Sequence, residues 1–140
     1  MFNEYGVDVI LGYGTSTVQP TYILENKDKE GKVKNRTLCV CGVGSLINGE
    51  NREGMDWGTI VEVTFATREN GVWTVSAAAA IPTYIWRATG DEGDSYRVLA
   101  IGEWLEEKPA EMSDENYARM NEIWTNAPAA VGDKIEIKAN

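Results

Sequence analysis

The residues of this chain whose types and spacing point to chemistry lie between Gly6 and Pro20, and they are hydroxyls rather than metal ligands. The apolar run from Val7 to Leu11 predicts a short strand that is buried on both faces. Gly12 and Gly14 permit a sharp turn directly after it, and hydroxyl side chains follow at Thr15 to Thr17. Ligand sites of open α/β sheets are commonly built at the carboxyl ends of strands, so this turn has the layout of a site. The chain contains no histidine, however, and hydroxyls alone are poorly suited to holding a catalytic metal.

Two interpretations of this ligand loop remain open. In the first, successive backbone N–H groups beside the glycines cradle an anion; in the second, the segment is an ordinary strand-to-loop turn. A serine nucleophile would need a base, and the sequence offers neither a histidine nor a Ser-X-X-Lys spacing, so we predict no catalytic residue and no metal ligand. The candidate ligand-loop residues are Gly12, Tyr13, Gly14, Ser16, Thr17, Gln19 and Ser45.

The elements that must position this loop are mainly strands joined by hairpins. The charged segment Glu25 to Asn35 predicts the tip of a first hairpin, and Asn70-Gly71 predicts the tight turn of a second. Gly90 to Asp94 predicts one more turn. The predicted strands are Gly6–Gly12, Thr21–Leu24, Thr37–Val43, Thr59–Phe65, Val72–Ala80, Tyr96–Ile101 and Lys134–Ile137.

One helix is predicted near the end of the chain. Ser113 is a typical N-cap, and Asp114 and Glu115 place negative charge in the first turn. Asn126 to Pro128 predicts the end of the helix. Its apolar stripe consists of Tyr117, Met120, Ile123 and Trp124. The predicted fold class is therefore α/β but β-dominated: a single domain, residues 1–140, made of a hairpin-rich twisted sheet with one C-terminal helix.

Several single residues also carry predictions. Asp8, within the apolar run, is either a functional carboxylate or an acceptor for nearby backbone N–H groups. Cys39 and Cys41 lie two apart on one strand, a spacing that disfavours a disulfide, so they are predicted to be small buried packing residues. Of the five tryptophans, Trp73, Trp86 and Trp124 are predicted in the core, whereas Trp57 and Trp104 border loops and could pack or form an aromatic platform.

Composition excludes some classes of partner. The chain has 140 residues, 13 Lys plus Arg and 22 Asp plus Glu, for a formal net charge of −9. This balance argues against binding to nucleic acid or an anionic membrane surface. No segment approaches the roughly 20 apolar residues of a membrane span, and the first residues lack the basic and apolar regions of a signal peptide.

The ligand-loop segment resembles the CapA-type poly-γ-glutamate (capsule) synthesis proteins, a bacterial branch of the calcineurin-like metallophosphatase superfamily. In that family a strand ending in glycine leads into Gly-X-His-Pro-His-Val-X-Gln-Pro, whose histidines are metal ligands. Aligned without gaps, Gly12, Gln19 and Pro20 match this pattern, but the two histidine positions fall on Gly14 and Ser16.

The resemblance continues downstream and covers residues 5–131. The segment 38–52 is similar to the family's Val-Phe-Tyr-Ser-Leu-Gly-Asn-Phe-Ile-Ser strand and turn: Gly44 and Ile47 keep their places, and Ser45 replaces the asparagine. The segments similar to the family's closing strands are Gly58–Phe65, Ile81–Arg87 and Tyr96–Ile101. This resemblance implies the C-terminal part of a metallophosphatase-like sandwich, in a family that uses a divalent metal pair, with the ligands missing here.

Three functions follow as expectations. The first is a non-catalytic, degenerate CapA-like domain, a pseudoenzyme, in capsule or poly-γ-glutamate assembly at the cell envelope, with no cofactor of its own. The second is a metal-dependent phosphoesterase completed by an upstream segment or a partner chain, and the third is a stand-alone binding domain. Because the first half of such a fold is missing from this sequence, open strand edges predict self-association or pairing with an N-terminal portion. An anionic polymer or polysaccharide is a further expected partner.

Overall fold

The described part of the chain folds into two mixed β-sheets and one α-helix, and strands dominate its regular structure. The computed structural model describes residues 5–49, 52–91 and 93–140. The β-dominated class predicted from the sequence is confirmed, but the strands form two sheets rather than one. The elements are β1 (Val9–Leu11), β2 (Val18–Lys27), β3 (Val33–Val43), β4 (Trp57–Thr67), β5 (Trp73–Gly90), β6 (Gly93–Ala100), a 3₁₀ helix (Ile101–Trp104), α1 (Asp114–Val131) and β7 (Glu136–Ile137).

The first sheet has the strand order β1-β3-β2, and the second has the order β4-β5-β6 with β7 beside β5. In the first sheet β1 runs parallel to β3, with Val9 opposite Leu38, and β2 runs antiparallel. In the second sheet β7 runs parallel to β5 at Ala79 and Ala80, and the other pairs are antiparallel. A single antiparallel bridge between Gly44 and Gly58 joins the end of β3 to the start of β4.

Both predicted hairpins are confirmed, and their tips explain why. At the first tip, Asp28 Oδ1 accepts hydrogen bonds from the N–H groups of Glu30 (3.0 Å) and Lys32 (2.8 Å). At the second, Asn70 Oδ1 accepts from the N–H of Val72 (3.2 Å), and Gly71 adopts a φ of +78°. Side-chain acceptors of this kind stabilise turns by satisfying backbone donors.

The strands are longer than predicted, and the predicted strands Val72–Ala80 and Ile81–Arg87 are one continuous strand, β5. Pro82 lies inside it, a position that normally ends a strand because proline has no N–H. One edge of β5 pairs with β7 up to Ala80 and with β6 from Thr83 onward, so Pro82 lies where the strand changes partners. At Pro82, therefore, no neighbouring strand on that edge needs a hydrogen bond from a backbone N–H.

Helix α1 begins where the sequence predicts and ends later. Ser113 is the N-cap, and its Oγ accepts from the N–H of Asn116 (3.2 Å). The predicted end at Asn126 to Pro128 is wrong, because α1 continues to Val131 with Pro128 inside it. Ala127 and Val131 are both buried, and their packing outweighs the hydrogen bond that proline cannot donate.

Two hydrophobic clusters form the core. One lies under α1 and contains Trp86, Met120 and Ile123, with Tyr117 and Trp124 packed against it, so the predicted helical stripe is confirmed. The other lies between the sheets and includes Leu38 and Val40. Among the described residues, no helix combines the length and the apolar character needed to cross a membrane.

The predicted burial of the first strand is wrong. β1 contains only Val9–Leu11 and forms one edge of its sheet, and the side chain of Leu11 is 69% exposed. Asp8 precedes the strand and is exposed, so its carboxylate bears no burial cost. An apolar run alone cannot distinguish an edge strand from a central one, because both have the same composition.

The cysteines and one tryptophan also differ from expectation. Cys39 and Cys41 are free thiols, as predicted, but Cys41 is exposed and Cys39 only partly buried. Burial and the neighbouring Cys41 raise the pKa of the Cys39 thiol. Trp73 was expected in the core and is exposed, because it starts β5 at the distal end of the second hairpin. Trp57 is buried and Trp104 packs against the same cluster as Trp86, so both border-loop tryptophans are packing residues.

Candidate functional site

The turns that follow β1 and β3 meet in a cleft of about 450 Å³. Because these two strands are parallel, their carboxyl ends lie at the same edge of the first sheet. The cleft is lined by the contiguous segments Gly12–Ser16 and Gly42–Ile47. Segments that are about thirty residues apart in the sequence thus line one cleft, and strand ends of this kind are common places for ligand sites.

Glycines permit the close approach of the two turns. The Gly12 N–H donates to the carbonyl of Val40 (2.6 Å), and a Cβ at Gly12 would lie 2.2 Å from the carbonyl oxygen of Cys41. Gly44 adopts a φ of +73°, and a Cβ there would lie 2.8 Å from the carbonyl oxygen of Trp57. A side chain at either position would therefore push the two strands or the two sheets apart.

The hydroxyls of the cleft donate mainly to backbone carbonyls. Ser45 Oγ donates to the carbonyl of Ser16 (3.3 Å), which ties the two turns together directly. Asn48 Nδ2 donates to Ser45 Oγ (3.1 Å). The described residues that line the cleft offer hydrogen-bonding groups but no carboxylate, imidazole, thiol or amine. Acid–base or nucleophilic chemistry would have no base among them.

The structure brings together five of the seven candidate ligand-loop residues. Thr17 and Gln19 do not line the cleft: Gln19 Nε2 donates to Thr17 Oγ1 (3.0 Å) beside it. The Gly12 N–H, one donor of the predicted anion cradle, is already bonded to Val40. The candidate residues that line the cleft are Gly12, Tyr13, Gly14, Ser16 and Ser45.

The cleft is a poor match for a metal pair. Gly14 and Ser16, at the positions of the expected ligands, supply no imidazole. Across residues 5–49, 52–91 and 93–140, no group of three or more His, Cys, Asp or Glu side chains is arranged to hold a metal ion. The residues present therefore do not fit the divalent metal pair that the resemblance implies.

The rim of the cleft is unexpectedly apolar. Leu11, Tyr13, Leu46 and Ile47 are all exposed around it, and Tyr13 is fully exposed to solvent. Hydrophobic side chains gathered at one surface are typical of contact regions. Self-association through this surface stays a prediction.

A second feature, which the sequence did not reveal, is a basic groove of about 500 Å³ beside the first hairpin. It is lined by Ile23, Glu25, Lys27, Arg36 and Lys134. Glu25 contacts both Lys27 (Nζ–Oε2 3.3 Å) and Arg36 (Nη2–Oε1 3.1 Å), and these contacts, led by the hydrogen bond from Lys27, lower the pKa of Glu25. Three cations and one carboxylate give the groove a positive charge in a chain of net charge −9. Lys134 is about a hundred residues from the others, so only the fold brings the groove together.

Comparison of the chain with protein-family models, with curated proteins and with solved structures gives no match in any of the three.

Proposed function

We propose that this chain is a non-catalytic, CapA-like domain that acts in the assembly of an anionic cell-envelope polymer such as poly-γ-glutamate. The observation that supports this most is the cleft, because the two segments that resemble the family's motif turns, around Gly14 and around Ser45, line the same cavity. If the sequence similarity of the two segments were due to chance, there would be no reason for both segments to line the same cavity. In this proposal the domain retains a cleft between the two motif turns and lacks the histidines of the family.

The non-catalytic part of the proposal rests on the side chains at Gly14 and Ser16. A two-metal site stabilises both the attacking and the leaving oxygen of a phosphoryl transfer, and it needs several nitrogen and oxygen ligands. Gly14 has no side chain, Ser16 offers only one hydroxyl, and the hydroxyl of Ser45 is engaged with the backbone of Ser16. The domain therefore contributes binding rather than turnover.

We expect the chain to bind no catalytic metal tightly. Isothermal titration with Mn²⁺ and Zn²⁺, and metal analysis of protein purified without chelator, measure this directly. The variant Gly14→His/Thr15→Pro/Ser16→His restores the family's ligand pattern and serves as the comparison. It should gain weak Zn²⁺ affinity through two imidazoles. It should not hydrolyse p-nitrophenyl phosphate, since its other ligands are absent. Retention of two metals per parent chain, or chelator-sensitive turnover by the variant, would contradict the proposal.

The basic groove is where we place the polymer. A polyanion is repelled by most of a surface with a net charge of −9, so attraction must come from a local concentration of cations. Lys27, Arg36 and Lys134 supply such a concentration, and the groove lies along the first hairpin, where an extended chain has room to bind.

We expect immobilised poly-γ-glutamate to bind the chain in low salt and to lose binding as ionic strength rises. The double variant Lys27→Gln/Lys134→Gln should weaken binding about tenfold, because two of the three cations are lost. Lys108→Gln is the matched control, since Lys108 pairs with Asp114 outside the groove. Biolayer interferometry gives both affinities. Equal losses in the two variants, or binding that salt does not affect, would argue against polymer recognition at this groove.

A further inference from the structure

A third cavity, of about 700 Å³, opens between the first half of α1, β5, β6 and the loop before β4. Among the described residues, it shares no lining residue with the cleft or with the basic groove. Its volume lies within the range of small-molecule sites. We propose that this cavity binds a neutral saccharide. This inference does not rest on the proposed function, so either can fail while the other stands.

The polar groups at the base of the cavity are fixed before any ligand arrives. Arg119 makes two contacts with Asp56 (Nε–Oδ2 2.7 Å, Nη2–Oδ1 3.0 Å), and its Nη1 also contacts Glu122 Oε2 (2.9 Å). Arg119 and Asp56 are both partly buried, each with 29% of its side chain exposed. The loop that carries Asp56 is itself held in place, because the N–H of Ile85 donates to the Asp56 carbonyl (2.8 Å). The protein therefore loses little conformational freedom when a ligand binds, and this favours affinity.

The polar side chains between α1 and β5 are also held in place by hydrogen bonds. The buried Tyr84 donates its hydroxyl to Asn116 Oδ1 (3.0 Å). Burial, reinforced by the charge of Asp56, raises the pKa of Tyr84, so its phenol stays protonated and donating. Asn116 in turn belongs to the first turn of α1, where its N–H is held by Ser113. Asn116 and Tyr96 both line the cavity.

Charge selects against an ionic ligand. Both guanidinium groups of the cavity are paired within the chain, Arg119 with Asp56 and Glu122, and Arg87 with Asp94. An anion would have to displace one of these carboxylates, and it would also meet Glu115 and Glu122 in the lining. A cation could approach Glu115 without displacing a guanidinium, but it would also meet Arg87 and Arg119 in the same lining. A neutral ligand leaves every pair intact.

Hydrogen-bonding capacity then identifies the kind of neutral ligand. The lining combines acceptor-only carboxylates, donor-only guanidinium groups and phenol and amide groups that do both. Hydroxyl groups donate and accept at once, so a ligand that carries several of them can satisfy all three kinds of partner. A sugar also has apolar ring faces, which can rest on the aromatic side chain of Tyr96.

The test is a titration of the isotope-labelled full chain, followed by two-dimensional amide NMR. The neutral probes are methyl glucoside, maltose, cellobiose and N-acetylglucosamine; sodium glucuronate and glucosamine are the charged counterparts. We expect at least one neutral sugar to give saturable shifts at the amides of residues 84–89 and 116–122. The charged counterpart of the bound sugar should bind more weakly.

Two variants and one control sharpen the result. Tyr96→Phe removes only a hydroxyl, and Glu115→Gln removes only a charge, and each should weaken binding about three- to tenfold with the spectrum otherwise preserved. Glu107→Gln changes an exposed carboxylate outside the cavity and should leave affinity unchanged. The proposal is overturned if no neutral probe gives saturable shifts, if the shifts map elsewhere, if glucuronate or glucosamine binds better, or if Glu107→Gln weakens binding as much as the cavity variants do.

Discussion

Trp86→Ala is expected to destabilise the fold by about 3–5 kcal/mol, the cost of removing a large aromatic side chain from a packed core. Trp86 is 3% exposed and belongs to the cluster under α1. Its ring also faces the guanidinium of Arg97, whose Cζ lies 5.3 Å from the ring centroid. In a chain of this size such a loss corresponds to a fall in Tm of roughly 12–20 °C. Thermal and urea denaturation followed by circular dichroism measure both quantities.

Trp73→Ala is the matched control, since it makes the same chemical change on the same strand. Trp73 is 62% exposed and lies at the start of β5. Its replacement should cost less than about 1 kcal/mol. A similar loss of stability in the two variants would contradict the assignment of the core. It would mean that Trp73 is buried in solution, for example against a second molecule.

Gly58→Ala is the second large effect, at about 3 kcal/mol of destabilisation, because a methyl group has no room there. A Cβ on Gly58 would lie 2.5 Å from the carbonyl oxygen of Ser45 and 3.0 Å from that of Val43. Both obstacles are backbone atoms, which cannot rotate away. Gly58 is also one half of the bridge to Gly44 that joins the two sheets, so the strain falls on their junction.

Gly90→Ala makes the same substitution where space is available. The nearest atom to a Cβ there, the carbonyl oxygen of Gly93, is 3.9 Å away. Its effect should stay within about 0.5 kcal/mol, and it can be slightly stabilising because alanine restricts the unfolded chain. Chemical denaturation of both variants gives the comparison. A loss for Gly58→Ala no larger than that for Gly90→Ala would show that the sheets can separate at little cost.

The sequence predicts the local elements of this fold well, because their signals are local. Asn70-Gly71 forms its turn with its own side chain and backbone, and Ser113 caps the helix three residues from its partner. The predictions from sequence are wrong where contacts with residues distant in the sequence determine the local structure. Pro128 does not end α1 because Ala127 and Val131 are buried by the sheets, and burial of that kind is not encoded within one helical turn.

The candidate functional sites also differ in how far the sequence could reveal them. Ser45 is a candidate residue only through the resemblance, and in the structure its hydroxyl donates to the carbonyl of Ser16 in the ligand loop. The basic groove depends on Lys134 reaching Lys27 across the fold, and the third cavity depends on Arg119 reaching Asp56. No spacing rule links residues so far apart, so neither could be found without the structure.

The pairing of β7 with β5 bears on how the protein is made. Ile137 lies opposite Ala80, and the N–H of Lys138 donates to the Ala80 carbonyl (3.0 Å). On the ribosome, where the chain emerges from its N-terminus, the hairpin of β4 and β5 can form early because its contacts are local. The edge of β5 at Ala79 and Ala80 must then wait, with its backbone hydrogen-bonding groups unpaired, until the last residues of this sequence have been synthesised. During that interval the edge is open to pairing with another nascent chain.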